Sequence, residues 1–236
     1  MVTDVQAEPA RVRLLDADPA LGEGLGPEQE LEAREELVAR VIVIAKGPWE
    51  PPAAEPRGHL GYLVLGGFLM REVTVGSSRS VELLTVGDLL RPWQEDPTSY
   101  STSRWSALEE TRVAVLEPDV ARRIGRHPQI VSLLVERTMC RARNLAVLWA
   151  IANTVGLEKR ILMLFRHLAE RWGRVTPDGV AISLRITHQM VADLVGARRP
   201  SATTALVGLA ERDALRRTSG GGWLLPRARS AGPAKT

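Results

Sequence analysis

The chain of 236 residues has few of the side chains that build metal and redox sites. Its single cysteine, Cys140, excludes a disulfide within the chain, a zinc site made of thiolates and a four-cysteine iron–sulfur cluster. No two histidines have the i, i+4 spacing of a helical metal pair; the four are His59, His127, His167 and His188. No Ser/His/Asp set stands in a recognisable local context. We therefore expect no catalytic residue, no metal site and no cofactor.

Long apolar runs are also missing. No stretch reaches the roughly 18 to 20 apolar residues that a membrane span requires. The start of the chain carries Asp4, Glu8 and Asp16, where a secretory signal would carry basic and then apolar residues. These absences predict a cytoplasmic protein without a membrane partner. The hydrophobic content of 44% is sufficient for real cores, and the length allows one large domain or two modest ones.

Charge is distributed unevenly along the chain. Residues 158–236 carry 14 Lys and Arg against 6 Asp and Glu, whereas residues 1–157 carry 17 against 22. The C-terminal part is therefore predicted to contact a polyanion, and the N-terminal part to have another task.

Residues 186–206 have the pattern of a helix, a tight turn and a second helix. Thr187 is a favourable N-cap, and Gly196 stands where a helix end needs a left-handed residue. Small and apolar residues form the inner face, which leaves polar and basic side chains outside for phosphates and base edges. An ordinary helical hairpin with a solvated face is the alternative. The predicted DNA contacts are Thr187, His188, Gln189, Arg198, Arg199, Ser201, Thr203 and Thr204.

Short runs rich in Val and Leu, separated by Gly-containing turns, fill the first half of the chain. They predict a small all-β sandwich or barrel. The expected strands are 41–45, 60–65, 68–75, 81–86 and 112–116. We further expect a surface helix over 27–40, a turn at Gly47-Pro48 and a loop over 94–104.

The pattern becomes helical after Pro128. Two neighbouring apolar stripes cover residues 128–155, and a helix of about 27 residues is roughly 40 Å long. Because one small domain cannot cover that length, we expect one stripe to pack on the β domain and the other on a second copy of the chain. The chain is therefore predicted to form a homodimer.

Two hairpins and a further helix are expected beyond this long helix. Residues 157–172 predict an amphipathic helix, and Pro177-Asp178-Gly179 predicts a turn between two strands within 175–184. Residues 216–225 predict a hairpin around Gly220-Gly221-Gly222, which would be the wing of a winged helix. Arg217 lies on this wing and is expected to contact only phosphate.

The order of these parts resembles the CRP/FNR family of bacterial transcription regulators over nearly the whole chain. Residues 186–209 resemble the family's DNA-binding segment, in which Arg199 matches the arginine that reads a guanine. Residues 81–88 resemble its strand ending in Gly-Asp, and residues 160–172 resemble the first helix of its C-terminal domain. The resemblance implies an α+β fold with three parts: a cyclic-nucleotide-binding-like β-roll (1–127), a dimerisation helix (128–155) and a winged helix-turn-helix domain (156–236).

The resemblance also implies partners. A homodimer of this family binds a two-fold symmetric site in double-stranded DNA, with RNA polymerase as a further partner. Pro200 stands where the family often has glutamate, and Thr204 where a second arginine is common. The operator is therefore expected to differ from that of the cAMP receptor.

The sensor half departs from the cyclic-nucleotide binders of the family. Those proteins carry a Gly-Glu pair after the Gly-Asp turn and an Arg-Ser pair farther on, which hold ribose and cyclic phosphate. Here Gly87-Asp88 is followed by Leu89-Leu90-Arg91-Pro92-Trp93, and Ser101-Thr102 falls near the second pair. Pro92 also removes one N–H that a cyclic phosphate could use. We therefore expect an effector other than cAMP.

A pocket for a different, anionic small molecule is expected at the same place, because a cation beside an aromatic ring suits a planar or charged ligand. Its predicted residues are Leu90, Arg91, Trp93, Arg104, Arg141 and Asn144. In the alternative, Arg91 pairs with an acid such as Glu95 and Trp93 fills the core, which makes the regulator constitutive.

Two other interpretations stay open. The β domain would be a cupin-like, metal-dependent enzyme if it held several metal ligands, although only His59 lies in the β segment. The regulator would sense haem if His59 or His127 bound the iron.

Overall fold

In the part of the chain that the structure describes, nine strands dominate the first of two units, residues 1–144. The computed structural model describes residues 10–51, 57–93 and 100–227. The strands of this unit are β1 (Arg11–Arg13), β2 (Val38–Ile44), β3 (Gly47–Trp49), β4 (Gly61–Gly66), β5 (Leu69–Val75), β6 (Ser78–Leu84), β7 (Leu89–Leu90), β8 (Ser101–Ala107) and β9 (Thr111–Leu116). Its helices are α1 (Leu14–Ala17), a 3₁₀ helix (Pro19–Gly22), α2 (Pro27–Glu36) and α3 (Pro118–Ile124). Helix α4 (Pro128–Ala152) begins in this unit and ends in the second.

The strands form two antiparallel sheets, with the orders β1-β2-β9-β4-β7 and β3-β8-β5-β6. Strand β4 shows how the cores are arranged, because its side chains alternate between two hydrophobic clusters. Tyr62 and Val64 join a cluster that takes residues from both sheets. Leu63 and Leu65 join a second cluster with residues of α1, α3 and α4. This burial on both faces explains why the strand is a continuous hydrophobic run.

The described part of the second unit, residues 145–236, combines the end of α4 and three further helices with a four-stranded sheet. Its elements are α5 (Leu157–Trp172), β10 (Gly173–Thr176), β11 (Gly179–Ile182), α6 (His188–Leu194), α7 (Arg199–Glu211), β12 (Arg216–Arg217) and β13 (Trp223–Pro226), and the sheet order is β10-β11-β13-β12. Helix α5 buries Ile161, Leu164, Phe165 and Leu168, which the helical repeat places on one face. The Phe165 ring lies 4.7 Å from that of Trp223, which joins α5 to the sheet.

The mixed α+β class is confirmed, and α5 has the predicted bounds. Both predicted hairpins are present, as β10–β11 and as β12–β13. None of the helices in the described ranges is long and apolar enough to cross a membrane.

Four local predictions were wrong in their bounds or type. The helix expected over 27–40 ends at Glu36, because the β-branched run from Val38 pairs with β9. Gly47 and Pro48 lie in β3, at the edge of a sheet, where proline is tolerated. Residues 101–104 of the expected loop belong to β8, whereas 94–99 lie outside the described residues. Helix α4 ends at Ala152, not at residue 155.

Candidate nucleic-acid interface and effector pocket

Helices α6 and α7 form a helix-turn-helix fixed by local bonds. The Thr187 hydroxyl accepts a hydrogen bond of 3.2 Å from the Met190 N–H and so caps α6. The turn requires a left-handed residue at Gly196, where φ is 62°. The Ala197 N–H then donates to the Ala192 carbonyl at 2.8 Å. The turn chemistry expected at Thr187 and Gly196 is thus present.

The start of α7 is polar and exposed. Arg198, Arg199, Ser201 and Thr204 are all exposed, whereas Ala202 is buried. Arg198 occupies the N-cap position without a side-chain capping bond. Because the first N–H groups of a helix have no partner within the helix, this end suits an anion such as phosphate.

His188 and Gln189 at the start of α6 are both held by neighbours. The His188 Nδ1 lies 3.2 Å from the Thr203 hydroxyl of α7. Burial, together with the charges of Arg217 and Arg199, lowers the pKa of His188, so its ring is neutral at neutral pH. The Gln189 amide donates to Asp193 at 2.8 Å.

Arg217 is bound within the wing. Its guanidinium lies 4.0 Å from the centre of the Trp223 ring and donates to the carbonyls of Gly221 (2.7 Å) and Ile186 (3.0 Å). The Trp223 indole N–H donates to the same Ile186 carbonyl at 3.0 Å. Burial lowers the pKa of Arg217. The phosphate contact of Arg217 stays a prediction; in the structure its guanidinium ties the wing to the residue before Thr187.

Arg160 of α5 was not singled out in the sequence. Its Nη1 donates to the carbonyl of Ala152 (3.1 Å), where α4 ends, and to that of Val195 (2.8 Å), in the turn before α7. It therefore joins the end of α4 to the helix-turn-helix. Nothing local in the sequence signals this, because Val195 is 35 residues away.

In the first unit, one row of side chains crosses the four-stranded sheet. Pairing places Trp49 beside Trp105, Trp105 beside Arg71, and Arg71 beside Glu82. Directly paired residues share a face of the sheet. A cavity of about 250 Å³ opens beside this row. We call it the arginine pocket; its lining residues are Arg71, Leu89, Arg91, Pro92, Trp105, Thr138 and Arg141.

Helix α4 is fastened beside the pocket by two arginines one turn apart. Arg141 donates two hydrogen bonds to the buried Glu82 carboxylate, at 2.5 and 2.9 Å, and one to the Leu89 carbonyl at 2.8 Å. Burial alone would lower the pKa of Arg141, but its hydrogen bonds and ion pair with Glu82 raise it. Arg137 makes the same two-pronged pair with buried Asp18. Its guanidinium lies so close to Gly87 that an added Cβ would approach it to 3.2 Å.

Two of the six predicted effector residues, Arg91 and Arg141, line the arginine pocket. Leu90 is 1% exposed within the core, and the Trp93 ring packs edge-on against Tyr62 at 5.1 Å. Arg104 is exposed and, next to Trp105 in β8, faces the other side of the sheet. Asn144 is outside the lining.

The sequence reasoning missed Arg71 and Trp105. Their cross-strand pairing would have identified them, but that pairing depends on the register between the strands, which the sequence alone does not give. Among the described residues, no group of three or more His, Cys, Asp and Glu could hold a metal ion.

No family model and no curated protein matches the chain. Solved structures do match. A cyclic nucleotide-binding domain containing protein from Listeria monocytogenes has 13% identity and a TM-score of 0.68, over 88% of this chain and 96% of that chain. A CRP-family transcriptional regulator from Thermus thermophilus has 19% identity and a TM-score of 0.58, over 80% and 92%. The c-di-GMP responsive regulator CLP from Xanthomonas campestris has 16% identity and a TM-score of 0.58, over 80% and 94%. The chain therefore has the fold of the CRP/FNR regulators.

Proposed function

We propose that the protein is a sequence-specific DNA-binding transcription regulator, not an enzyme, and that it acts as a homodimer gated by a small molecule other than cAMP. The observation that carries the proposal is the start of α7. Arg198, Arg199, Ser201 and Thr204 are exposed together at an uncapped helix N-terminus. This end offers main-chain donors, helix dipole and basic side chains to one strand of DNA.

Within this interface we assign different tasks to the arginines. Arg199 is exposed in the first turn of α7 and forks onto a guanine, a contact that discriminates between bases by about 1 to 3 kcal/mol. Arg198 contacts phosphate, together with Ser201 and Thr204. Arg217 positions the wing through its two carbonyl bonds. Neutral His188 holds Thr203 in place.

The dimer is supported by an apolar stripe on α4. Val131, Val135 and Met139 follow one another at intervals of four residues and are 39%, 53% and 61% exposed. A cavity of about 260 Å³, lined almost wholly by apolar side chains, opens on this stripe. Exposed apolar surface of this kind marks an interaction site. We propose that α4 of a second copy covers it, so that two recognition helices lie about 34 Å apart.

The effector differs from cAMP because the chain lacks, at the matching places, the Gly-Glu and Arg-Ser pairs of the family's cyclic-nucleotide binders. The cations of the arginine pocket come from Arg71, Arg91 and Arg141. CLP, which has the same fold, is described as responsive to c-di-GMP; this supports a change of effector within the fold.

Selection of DNA fragments by the pure protein tests the function. We expect enrichment of a two-fold symmetric sequence by the parent protein and loss of that enrichment with Arg199→Ala. Glu211→Gln, an exposed change at the far end of α7, is the control. Fragments retained without any common sequence would contradict specific binding. If the protein binds the selected DNA strongly and specifically and no cell extract alters that binding, the protein is a constitutive regulator.

A further inference from the structure

Gly220, in the tip of the wing, is a glycine that the fold does not require. Two main-chain hydrogen bonds of 3.0 and 3.1 Å close this wing tip, residues 218–222. Gly221 must be glycine because its φ is 83°, and Gly222 because an added Cβ would lie 2.4 Å from the Ile182 carbonyl oxygen. At Gly220 φ is not positive, and an added Cβ would meet nothing within 4 Å. A glycine without a reason in the fold marks a place where a ligand approaches the backbone closely.

Arg185 lies against the wing tip and is exposed. Its Cγ, Cδ and Nε atoms are 3.5 to 3.7 Å from the position that a Cβ of Gly221 would take, so the side chain packs alongside the tip. Within the ranges that the structure describes, Arg185 makes no hydrogen bond and no ion pair. Its guanidinium therefore keeps five donors for a partner outside the chain.

The wing tip and Arg185 are held together as a rigid pair. Arg217 donates to the Gly221 carbonyl in the tip at 2.7 Å and to the Ile186 carbonyl, next to Arg185, at 3.0 Å. The Trp223 indole donates to the same Ile186 carbonyl. Because these bonds fix the pair before any partner arrives, little further ordering is lost when it binds.

His188 relates this pair to the exposed start of α7. Its ring centre lies 6.1 Å from that of Trp223 in the wing, and its Nδ1 lies 3.2 Å from the Thr203 hydroxyl of α7. After burial, the charges of Arg217 and Arg199 are the causes that lower the pKa of His188, so both guanidinium groups are near its ring. The wing therefore stands beside the end of α7 to which we assign the major groove. On B-DNA the neighbour of a major groove, across one phosphate strand, is the minor groove.

We propose that Arg185, supported by the wing tip, enters the minor groove next to each half-site and selects A·T-rich flanks. The proposal rests on the proposed function and adds a second reading element to it. A-tracts have a narrow minor groove with enhanced negative potential, which attracts arginine. A G·C pair places the guanine N2 amino group in that groove, where it presents donors to a guanidinium that has no acceptor.

A contact of Arg185 with phosphate alone explains less of the structure. Such a contact requires only a positive charge, which lysine supplies equally well. It also gives no reason for the missing side chain at Gly220, because a phosphate on the outside of the duplex leaves room for one. Entry into a groove about 6 Å wide does give that reason.

Binding of the full chain to duplexes that differ only in their flanks tests the proposal. Fluorescence anisotropy compares the selected half-sites with flanks of A·T, G·C and I·C pairs. Inosine lacks the N2 amino group, so an I·C pair has the minor-groove edge of A·T and the major-groove edge of G·C. We expect A·T and I·C flanks to be bound alike, and G·C flanks about fivefold or more weakly.

Two variants separate minor-groove reading from attraction to phosphate. Arg185→Lys keeps the charge and loses the planar group, so it should remove most of the preference for A·T flanks while the dependence of affinity on salt stays the same. Gly220→Val should remove the preference without lowering Tm, and Gly220→Ala is the second variant if Gly220→Val does not fold. Arg174→Gln, at an equally exposed arginine of β10, is the control and should keep the preference.

The proposal is overturned if A·T and G·C flanks are bound equally, if I·C flanks are bound like G·C flanks, if Arg185→Lys keeps the flank preference, or if a folded Gly220 variant keeps it. Selection of symmetric half-sites without any flank preference refutes only the minor-groove reading. Failure of the unaltered protein to select any sequence refutes the proposed function.

Discussion

Breaking the ion pair between Arg141 and Glu82 should destabilise the first unit strongly. The Arg141→Met change keeps most of the apolar stem of the side chain but leaves the Glu82 carboxylate, whose side chain is 10% exposed, without its cation. Removing one partner of a buried pair costs about 3 to 5 kcal/mol. The adjoining pocket admits water, so we expect the lower end, about 3 kcal/mol. For a unit of this size that corresponds to a fall of roughly 6 to 12 °C in Tm.

The matched control is Arg126→Met in the same unit. Arg126 pairs with Glu36 at 3.3 Å, but its side chain is 67% exposed, and exposed pairs contribute about 0 to 1 kcal/mol. Denaturant unfolding followed by tryptophan fluorescence measures both variants. The double variant Glu82→Gln/Arg141→Met should be less destabilised than Arg141→Met, because no buried charge is left unpaired. If Arg141→Met and Arg126→Met lower the free energy of unfolding equally, the Arg141–Glu82 pair contributes no more to stability than an exposed pair does.

Four further outcomes follow from the same geometry. Arg199→Ala should lower discrimination between cognate and scrambled DNA by about 1 to 3 kcal/mol without loss of stability. Arg217→Ala should weaken binding to both DNAs alike and lower Tm. Equal effects of the two variants on discrimination would reject the assignment of base contact to Arg199. Val135→Glu should halve the mass measured by light scattering, and Glu136→Gln should not; a monomeric parent would refute the dimer. Millimolar cAMP should leave Tm unchanged, although a ligand at 100 times its Kd adds about 2.7 kcal/mol. In the folded chain the pKa of His188 is lowered below 6.5. The stability that depends on a neutral His188 is therefore present above pH 6.5 and is lost as the pH falls through the pKa of the folded state. Between neutral and mildly acidic pH, the Tm of His188→Gln should fall less than that of the unaltered protein.

The sequence predicted the second unit well because its signals are local. A cap, a left-handed glycine and a helical repeat lie within a few residues of the structure they specify, as at Thr187 and Gly196. Helix α5 has the predicted bounds for the same reason, since its apolar face is complete within 16 residues. The turns at Gly179 and Gly220 likewise identify their hairpins without knowledge of the rest of the chain.

The arginine pocket could not be predicted as well, because neighbouring residues of a strand face opposite sides of the sheet. Trp105 lines the pocket, whereas Arg104 beside it does not. Which of the two faces inward depends on pairing with β5, a partner more than 25 residues away. Arg71 was missed for the same reason. Strands β3 and β8 were also not predicted from the sequence, because β3 contains Pro48 and β8 is rich in Ser and Thr.

The number of arginines in the second unit was a misleading guide to how many of them are free to contact a polyanion. The excess of Lys and Arg in residues 158–236 indicates a polyanion partner, but the structure uses several of those guanidinium groups on its own backbone. Arg160 donates to the ends of two helices, and Arg217 to two carbonyls around the wing. A guanidinium has five donors and no acceptor, so it can satisfy several orphan carbonyls at once, which lysine cannot do with the same planar geometry. Arg198 and Arg199 are exposed at the start of α7, but Arg166, Arg174, Arg185 and Arg227 are exposed elsewhere in the second unit. Under the proposed function, base recognition would depend on which exposed arginines the fold places at the start of α7, and net charge alone does not identify them.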